Sequence, residues 1–343
     1  NNMSNNIPEI YGNSRNLELI QNMRRYQRIP HACLFYGEPG SGRKTLAEYF
    51  AMTVLCTGNS ENYGDAVPCG TCRNCRKILR KSHPDLILPE HSGKKQGFSV
   101  ETVREVCQDA LTAPNDGDLK IYLFTDCDNI NIPAQNTLLK LTEEPPEHVI
   151  LLFTAQAKSV FLETMLSRMM QIAVNPCSRK DCETALLSRG ISPEDAVNAV
   201  RACGGNIGQA LQWLADEDMQ MLTRHVTDFT NAVFTRKHYE ILKILHDYEK
   251  DRQKALEFLR LVSLQFRDAM LFKYCPDVYH NPNPDYEPML AGCDRNSAKA
   301  LSTILTASRA IQLQDAVRDA CTAINANVST KLALATFGGR LLF

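Results

Sequence analysis

The sequence predicts an α/β domain built around a phosphate-binding loop, followed by a largely helical remainder. Three observations carry this. Short apolar runs recur through the first half, a glycine-rich loop follows the first of them directly, and beyond about residue 178 the apolar residues recur at helical spacing. The candidate strands are 32–36, 86–88, 121–124 and 150–154. Each is short and rich in Ile, Leu, Phe or Tyr, as strands covered on both faces must be. Strand, glycine loop and helix, in that order, is what a phosphate-binding unit requires.

The loop reads Gly37-Glu-Pro-Gly40-Ser-Gly42-Arg43-Lys44-Thr45. A Walker A loop is G-x-x-x-x-G-K-[S/T]. Gly37 and Gly42 have the required spacing, but Arg43 stands in the lysine position and Lys44 in the hydroxyl position. In a working loop the lysine reaches the β- and γ-phosphates and the hydroxyl binds Mg²⁺. A lysine in the hydroxyl position cannot hold a cation. The expectation is a nucleotide-binding scaffold impaired as a nucleotidase. Arg43 and Lys44 still place positive charge at a helix N-terminus, so weak ATP or ADP binding stays open.

Composition bounds the rest. At 343 residues the chain suits two or three domains, and 44% hydrophobic content fills ordinary cores. Lys and Arg number 38 against 39 Asp and Glu, a net charge of -1. Self-sufficient nucleic-acid binding usually shows a basic excess, so contact with DNA is expected to be local or shared with partners. No apolar run reaches the ~18 residues of a membrane span. The Asn-rich start lacks the features of a signal peptide. Thirteen cysteines, mostly scattered, suit free thiols in a reducing cytoplasm better than a disulfide framework.

Three regions are expected: an α/β domain over 1–177, a small helical domain over 178–215, and an all-helical domain over 216–343. Ser192 followed by Pro193 reads as an N-cap and first helical residue. Phe258, Leu259, Val262, Phe266 and Met270 recur as one helix face, and 281–285, with two prolines, reads as a turn.

A cluster of cysteines stands apart from the scatter. Cys69-Gly-Thr-Cys72-Arg-Asn-Cys75 is dense, and Cys56 lies upstream near the end of the helix predicted after the loop. Four thiolates suit a closed, structural Zn²⁺ site in a module over about 56–85. An iron–sulfur cluster is the rival. Arg73, Arg76 and Lys77 lie close in sequence and would offset the charge of four thiolates.

This quartet sits between the loop helix and His83-Pro-Asp85. Downstream come Asn136-Thr-Leu-Leu-Lys-Leu-Thr-Glu-Glu-Pro-Pro146 and Leu166-Ser167-Arg168. That order resembles the bacterial clamp-loader subunits of DNA polymerase III, which are AAA+ proteins, over about residues 7 to 215. The resemblance implies an AAA+ domain with an inserted zinc module, a helical lid and an all-α collar that oligomerises. It implies gamma or tau and delta subunits, the sliding clamp and primer-template DNA as partners, and no membrane. By the same resemblance the Walker B pair falls on Thr125-Asp126 or, one residue on, Asp126-Cys127, either of which lacks the glutamate, and the sensor-2 arginine position holds Gly208. Loop, Walker B and sensor 2 all depart from the active pattern, which implies the non-hydrolysing subunit type. Arg168 matches the arginine that the family supplies in trans to a neighbour's ATP site, although Met169 replaces the family's cysteine. Glu143 and Glu144 read as a helix end at a subunit contact, because Pro145 must stop the helix. Two other readings stand beside this one: an active gamma-type ATPase using a shifted Lys44-Thr45, and a zinc-dependent DNA-binding module.

Overall fold

The computed structural model describes residues 7–58, 67–92, 97–275 and 294–341. The turn predicted at 281–285 lies outside them. The chain forms two compact units, Asn1–Cys177 and Ser178–Phe343.

The first unit is a five-stranded, all-parallel sheet in the order β2-β3-β4-β1-β5. Its strands are β1 (Ala32–Tyr36), β2 (Leu86–Ile87), β3 (Lys120–Phe124), β4 (Val149–Ala155) and β5 (Met170–Ala173). Helix α1 (Ser14–Arg25) precedes β1, and between the strands lie α2 (Arg43–Leu55), α3 (Arg73–Leu79), α4 (Val100–Asp109), α5 (Ile132–Glu143) and α6 (Glu163–Leu166). Alternation along the strands explains the layering. Cys33 and Phe35 of β1 join Ile121, Leu123, Ile150 and Leu152 in the core that α1 and α2 cover. Ala32 and Leu34 join Tyr122, Phe124, Leu151 and Phe153 under α4, α5 and α6. Both faces are covered, so β3 and β4 are buried along their whole length. Phe124 stacks on Phe153 with ring centroids 5.1 Å apart. Truncating one such residue, as in Leu152→Ala, costs about 2–5 kcal/mol.

The sheet differs from the sequence reading at its edges. Strand 86–88 shortens to Leu86–Ile87, and Leu88, which precedes Pro89, is exposed. β3 begins one residue early, on Lys120. That ammonium is buried, yet it donates to the Asp109 carbonyl at the end of α4 (3.2 Å) and to Thr112 Oγ1 (2.8 Å). β5 was not expected. It pairs with β1 from Cys33↔Met170 to Tyr36↔Ala173.

The second unit is helical: α7 (Arg179–Ser188), α8 (Pro193–Cys203), α9 (Ile207–Ala215), α10 (Glu217–Thr235), α11 (His238–Asp247), α12 (Arg252–Tyr274), α13 (Arg295–Ile304), α14 (Ala307–Asn325) and α15 (Thr330–Leu341). Ser192 caps α8 by accepting from Asp195 N–H, with Pro193 in the first turn. Asp216, Asp251 and Asp294 cap α10, α12 and α13 in the same way. Phe258, Leu259, Val262 and Phe266 of α12 face one core, where Phe258 meets Tyr248 and Phe229, and Phe229 stacks on Phe337. The Trp213 indole donates to Thr223 Oγ1 (2.9 Å) and ties α9 to α10. Among the described residues no helix is long and apolar enough to cross a membrane.

Candidate functional site

The strand order reverses between β4 and β1, and in parallel sheets the crevice at such a switch point is where ligands bind. The glycine loop leaves β1 there. Gly37 donates its N–H to the Ala155 carbonyl at the end of β4 (3.2 Å). A Cβ on Gly37 would stand 2.1 Å from the Val174 carbonyl oxygen, so only glycine permits this approach. Gly40 lies within the loop, and Gly42 is the N-cap of α2, whose start has no side-chain cap. The N–H groups of the first turn are therefore not taken by a capping side chain.

Arg43 is the first residue of α2 and is 8% exposed. Its guanidinium folds back across the loop, donates to the Gly37 carbonyl (3.1 Å) and pairs with Asp126 Oδ1 (3.5 Å). Lys44 is exposed and Thr45 half-buried. Arg43, not Lys44, is thus the cation drawn over the loop. Thr125 and Asp126 follow β3 directly. Thr125 is buried, while Asp126 adopts a left-handed conformation, donates its N–H to Thr154 Oγ1 (2.8 Å) and leaves its carboxylate 62% exposed. The pair puts a carboxylate where a phosphate-binding loop would offer uncompensated positive charge.

The cysteine cluster is assembled from three elements. Cys56 ends α2, Cys72 caps α3, Cys75 lies within α3, and Cys69 sits in the turn between. The sulfurs lie within 4.8 Å of one another. Cys56 Sγ is 3.6 Å from Cys69 Sγ and 4.0 Å from Cys72 Sγ. Four thiolates about 2.3 Å from one tetrahedral ion stand about 3.8 Å apart, so the spacing fits a single metal. Backbone N–H groups of Gly58, Cys69, Cys72 and Cys75 point at the sulfurs at 3.3–3.5 Å. Such bonds orient ligands and stabilise thiolate charge. Gly70, at φ +69, supplies the left-handed residue that lets Cys69 and Cys72 converge. The Cys56 thiol is pushed down to about 4, chiefly by a hydrogen bond from Cys75, whose own thiol is correspondingly raised.

The cluster is anchored beneath. Asn74, buried, donates to the Leu55 carbonyl (2.8 Å). Lys77 and Arg73 both pair with Asp116. Asp85, fully buried, accepts from the backbone N–H groups of Asn115 (2.6 Å) and Asp116 (2.7 Å) and from the Asn115 side chain (3.1 Å). His83 accepts from Asp85 N–H through Nδ1 (3.2 Å), and burial lowers its pKa. The His83-Pro84-Asp85 segment thus fastens the cysteine cluster to the sheet.

Arg168 lies between α6 and β5. Its backbone is fixed by buried Leu166 and Met169 and by its own N–H, which donates to the Met165 carbonyl (3.0 Å). Its side chain, 37% exposed, donates to the Thr164 carbonyl (2.6 Å) and Ser167 Oγ (3.3 Å) and pairs with Glu143 (3.0 Å). α5 ends at Glu143, as Pro145 requires, but the pairing of Glu143 with Arg168 is not visible in sequence, because the two residues belong to different elements. Gly208 lies in the first turn of α9.

Residues 12–178 match the family model described as DNA polymerase III, delta subunit. A delta-prime subunit of DNA polymerase III from Bacillus subtilis is 25% identical over 264 residues, covering 75% of this chain and 76% of that protein. The delta-prime subunit of Pseudomonas aeruginosa is 30% identical over 177 residues, 51% of this chain and 52% of that one. The tau subunit of Escherichia coli is 28% identical over 258 residues, which cover 72% of this chain and only 39% of tau.

Proposed function

We propose that this chain, a member of the clamp-loader subunit family of DNA polymerase III, works as a delta-prime-type subunit that supports ATP-driven placement of the sliding clamp on primed DNA without itself hydrolysing ATP. The observation that supports this most directly is the Arg43 guanidinium, which lies across the loop between Gly37 and Asp126 where an active loop would offer a lysine. Gly37, Gly40, Gly42, Arg43, Lys44 and Thr45 then form a relic of a nucleotide site, at most a weak holder of ATP or ADP through helix N–H groups.

On this reading 178–215 is the lid, 216–343 is the oligomerising collar, and the chain meets gamma or tau and delta subunits in the cytoplasm. Clamp and primer-template DNA are reached through the complex, in keeping with the net charge of -1. Cys56, Cys69, Cys72 and Cys75 hold zinc, which supplies a structural cross-link and no reactivity. Arg168 serves the ATP site of the neighbouring subunit, where a guanidinium offsets charge on the transferring phosphoryl group.

The test is DNA-stimulated ATP hydrolysis by the reconstituted complex, alongside hydrolysis by the isolated chain. Arg168→Ala should assemble normally and lower turnover of the complex, since an arginine supplied in trans is worth roughly 10³-fold or more at the one site it serves in related chemistry. The isolated chain should show none. Unchanged turnover with Arg168→Ala at saturating subunit would sink the trans role. Turnover by the isolated chain that Lys44→Ala abolishes would favour the second reading, a gamma-type ATPase, which the similarity to tau motivates.

A further inference from the structure

We propose that Glu143 is the positioning residue for Arg168, holding its guanidinium in a fixed pose for an anionic group presented by a partner subunit. The inference rests on the reading of Arg168 as acting in trans. Its observation is the ion pair between Arg168 Nη2 and Glu143 Oε1 at 3.0 Å.

Both ends of this pair stand on fixed backbone. Glu143 is the last residue of α5, and the two residues before it, Leu141 and Thr142, are buried. The Thr142 hydroxyl donates back to the Leu138 and Leu139 carbonyls, which locks the final turn. Arg168 is held between buried Leu166 and Met169, and Gln171 donates to the Leu166 carbonyl (3.1 Å) to brace the same segment. Arginine is long and rich in rotamers, so a guanidinium that must meet a partner gains from being oriented beforehand. Glu143, Thr164 and Ser167 supply that orientation.

The donor arithmetic leaves room for a ligand. A guanidinium carries five N–H donors. The Thr164 carbonyl and Ser167 Oγ take the two Nη1 hydrogens, and Glu143 lies beside Nη2 as an ion pair. Among the described residues no hydrogen bond takes the Nε or Nη2 hydrogens, which leaves a two-nitrogen fork for incoming oxygens, the geometry that suits phosphate. Glu143 is 47% exposed and Arg168 37% exposed, so the pair is weak enough to reorganise when a stronger anion arrives. The Glu143 carboxylate also opposes that anion, an effect of about 1 kcal/mol at ~4 Å through solvent. On this proposal pre-orientation outweighs it, and the sign of the Glu143→Ala effect on kcat decides between them.

The experiment measures kcat and the KM for ATP in DNA-stimulated hydrolysis by the complex reconstituted from this chain with its gamma- or tau-type and delta subunits. Glu143→Ala should lower kcat about two- to fivefold, the scale of an exposed ion pair, with the KM unchanged. Glu143→Gln, which retains a neutral acceptor, should fall between Glu143→Ala and the natural chain. In an Arg168→Ala background, Glu143→Ala should have no further effect. An unchanged or raised kcat for Glu143→Ala, or losses that add in the double variant, overturns the proposal. If Arg168→Ala lowers kcat and Glu143→Ala does not, only the role of Glu143 falls. If Arg168→Ala itself is silent, the trans reading falls and this inference with it.

Discussion

The cysteine cluster and the phosphate loop share helix α2, one at each end, and they have met different fates. At the C-terminal end four cysteines converge, the sulfurs are spaced for one ion, and the neighbouring backbone supplies N–H groups to them. At the N-terminal end the glycines keep the loop's shape, but its cation is turned onto Gly37 and Asp126. A structural metal site either has its full ligand set or does nothing, since its free energy of binding is free energy of folding. A phosphate loop packs the same way whether or not it still binds. The cluster's convergence is thus tied to the fold, whereas the loop's shape is not tied to its chemistry.

Of the changes that test this contrast, the largest effect on stability should come from the cluster. Stripping metal with a chelator, or Cys72→Ser, should lower the melting temperature by about 15 °C or more and expose the chain between Cys56 and Asp85 to protease. Zinc analysis should find close to one ion per chain. A chain that melts unchanged with or without metal breaks the comparison at its stronger end.

Asp85→Ala should come next. It leaves the Asn115 and Asp116 N–H groups without their buried acceptor and loosens the Asp116 carboxylate that holds Arg73 and Lys77. Stranding two donors should cost about 3 kcal/mol in denaturant unfolding, less than loss of the metal. A cost under about 1 kcal/mol would mean that the anchor beneath the cluster is not structural.

The same contrast governs what could be read from sequence. The cluster was legible because three of its cysteines lie within seven residues, so spacing alone implies convergence. Strands β1, β3 and β4 were legible because both faces are covered and their composition says so. β5 was not, because Gln171 and the half-buried Met170 interrupt an already short edge strand. The start of β3 was missed because a lysine argues against a buried strand until Thr112 and the Asp109 carbonyl are seen to receive it. The degenerate loop residues were visible as departures from a motif, but the Arg43–Asp126 and Arg168–Glu143 pairs were not. Each joins residues distant in the chain, and charged residues at a helix end carry no mark of their partner.

The smallest effect is expected at the loop, and it is the most discriminating. Asp126 is largely exposed and its pair with Arg43 is long, so Asp126→Asn should leave stability within about 0.5 kcal/mol of the natural chain. It should nevertheless change binding. The Asp126 carboxylate compensates the one cation drawn over the loop and repels any phosphate placed there. Removing a charge ~4 Å from an anion in a solvent-like dielectric is worth about 1 kcal/mol, or about fivefold in affinity. Calorimetric titration of the isolated Asp126→Asn chain with ADP should show tighter binding by about that factor, with no hydrolysis of ATP, because Lys44 still occupies the hydroxyl position and no residue has been restored to hold Mg²⁺. Unaltered ADP affinity would mean that the loop's shape, and not its compensated charge, excludes nucleotide. The glycine scaffold would then have drifted along with its chemistry, contrary to the distinction between the two ends of α2.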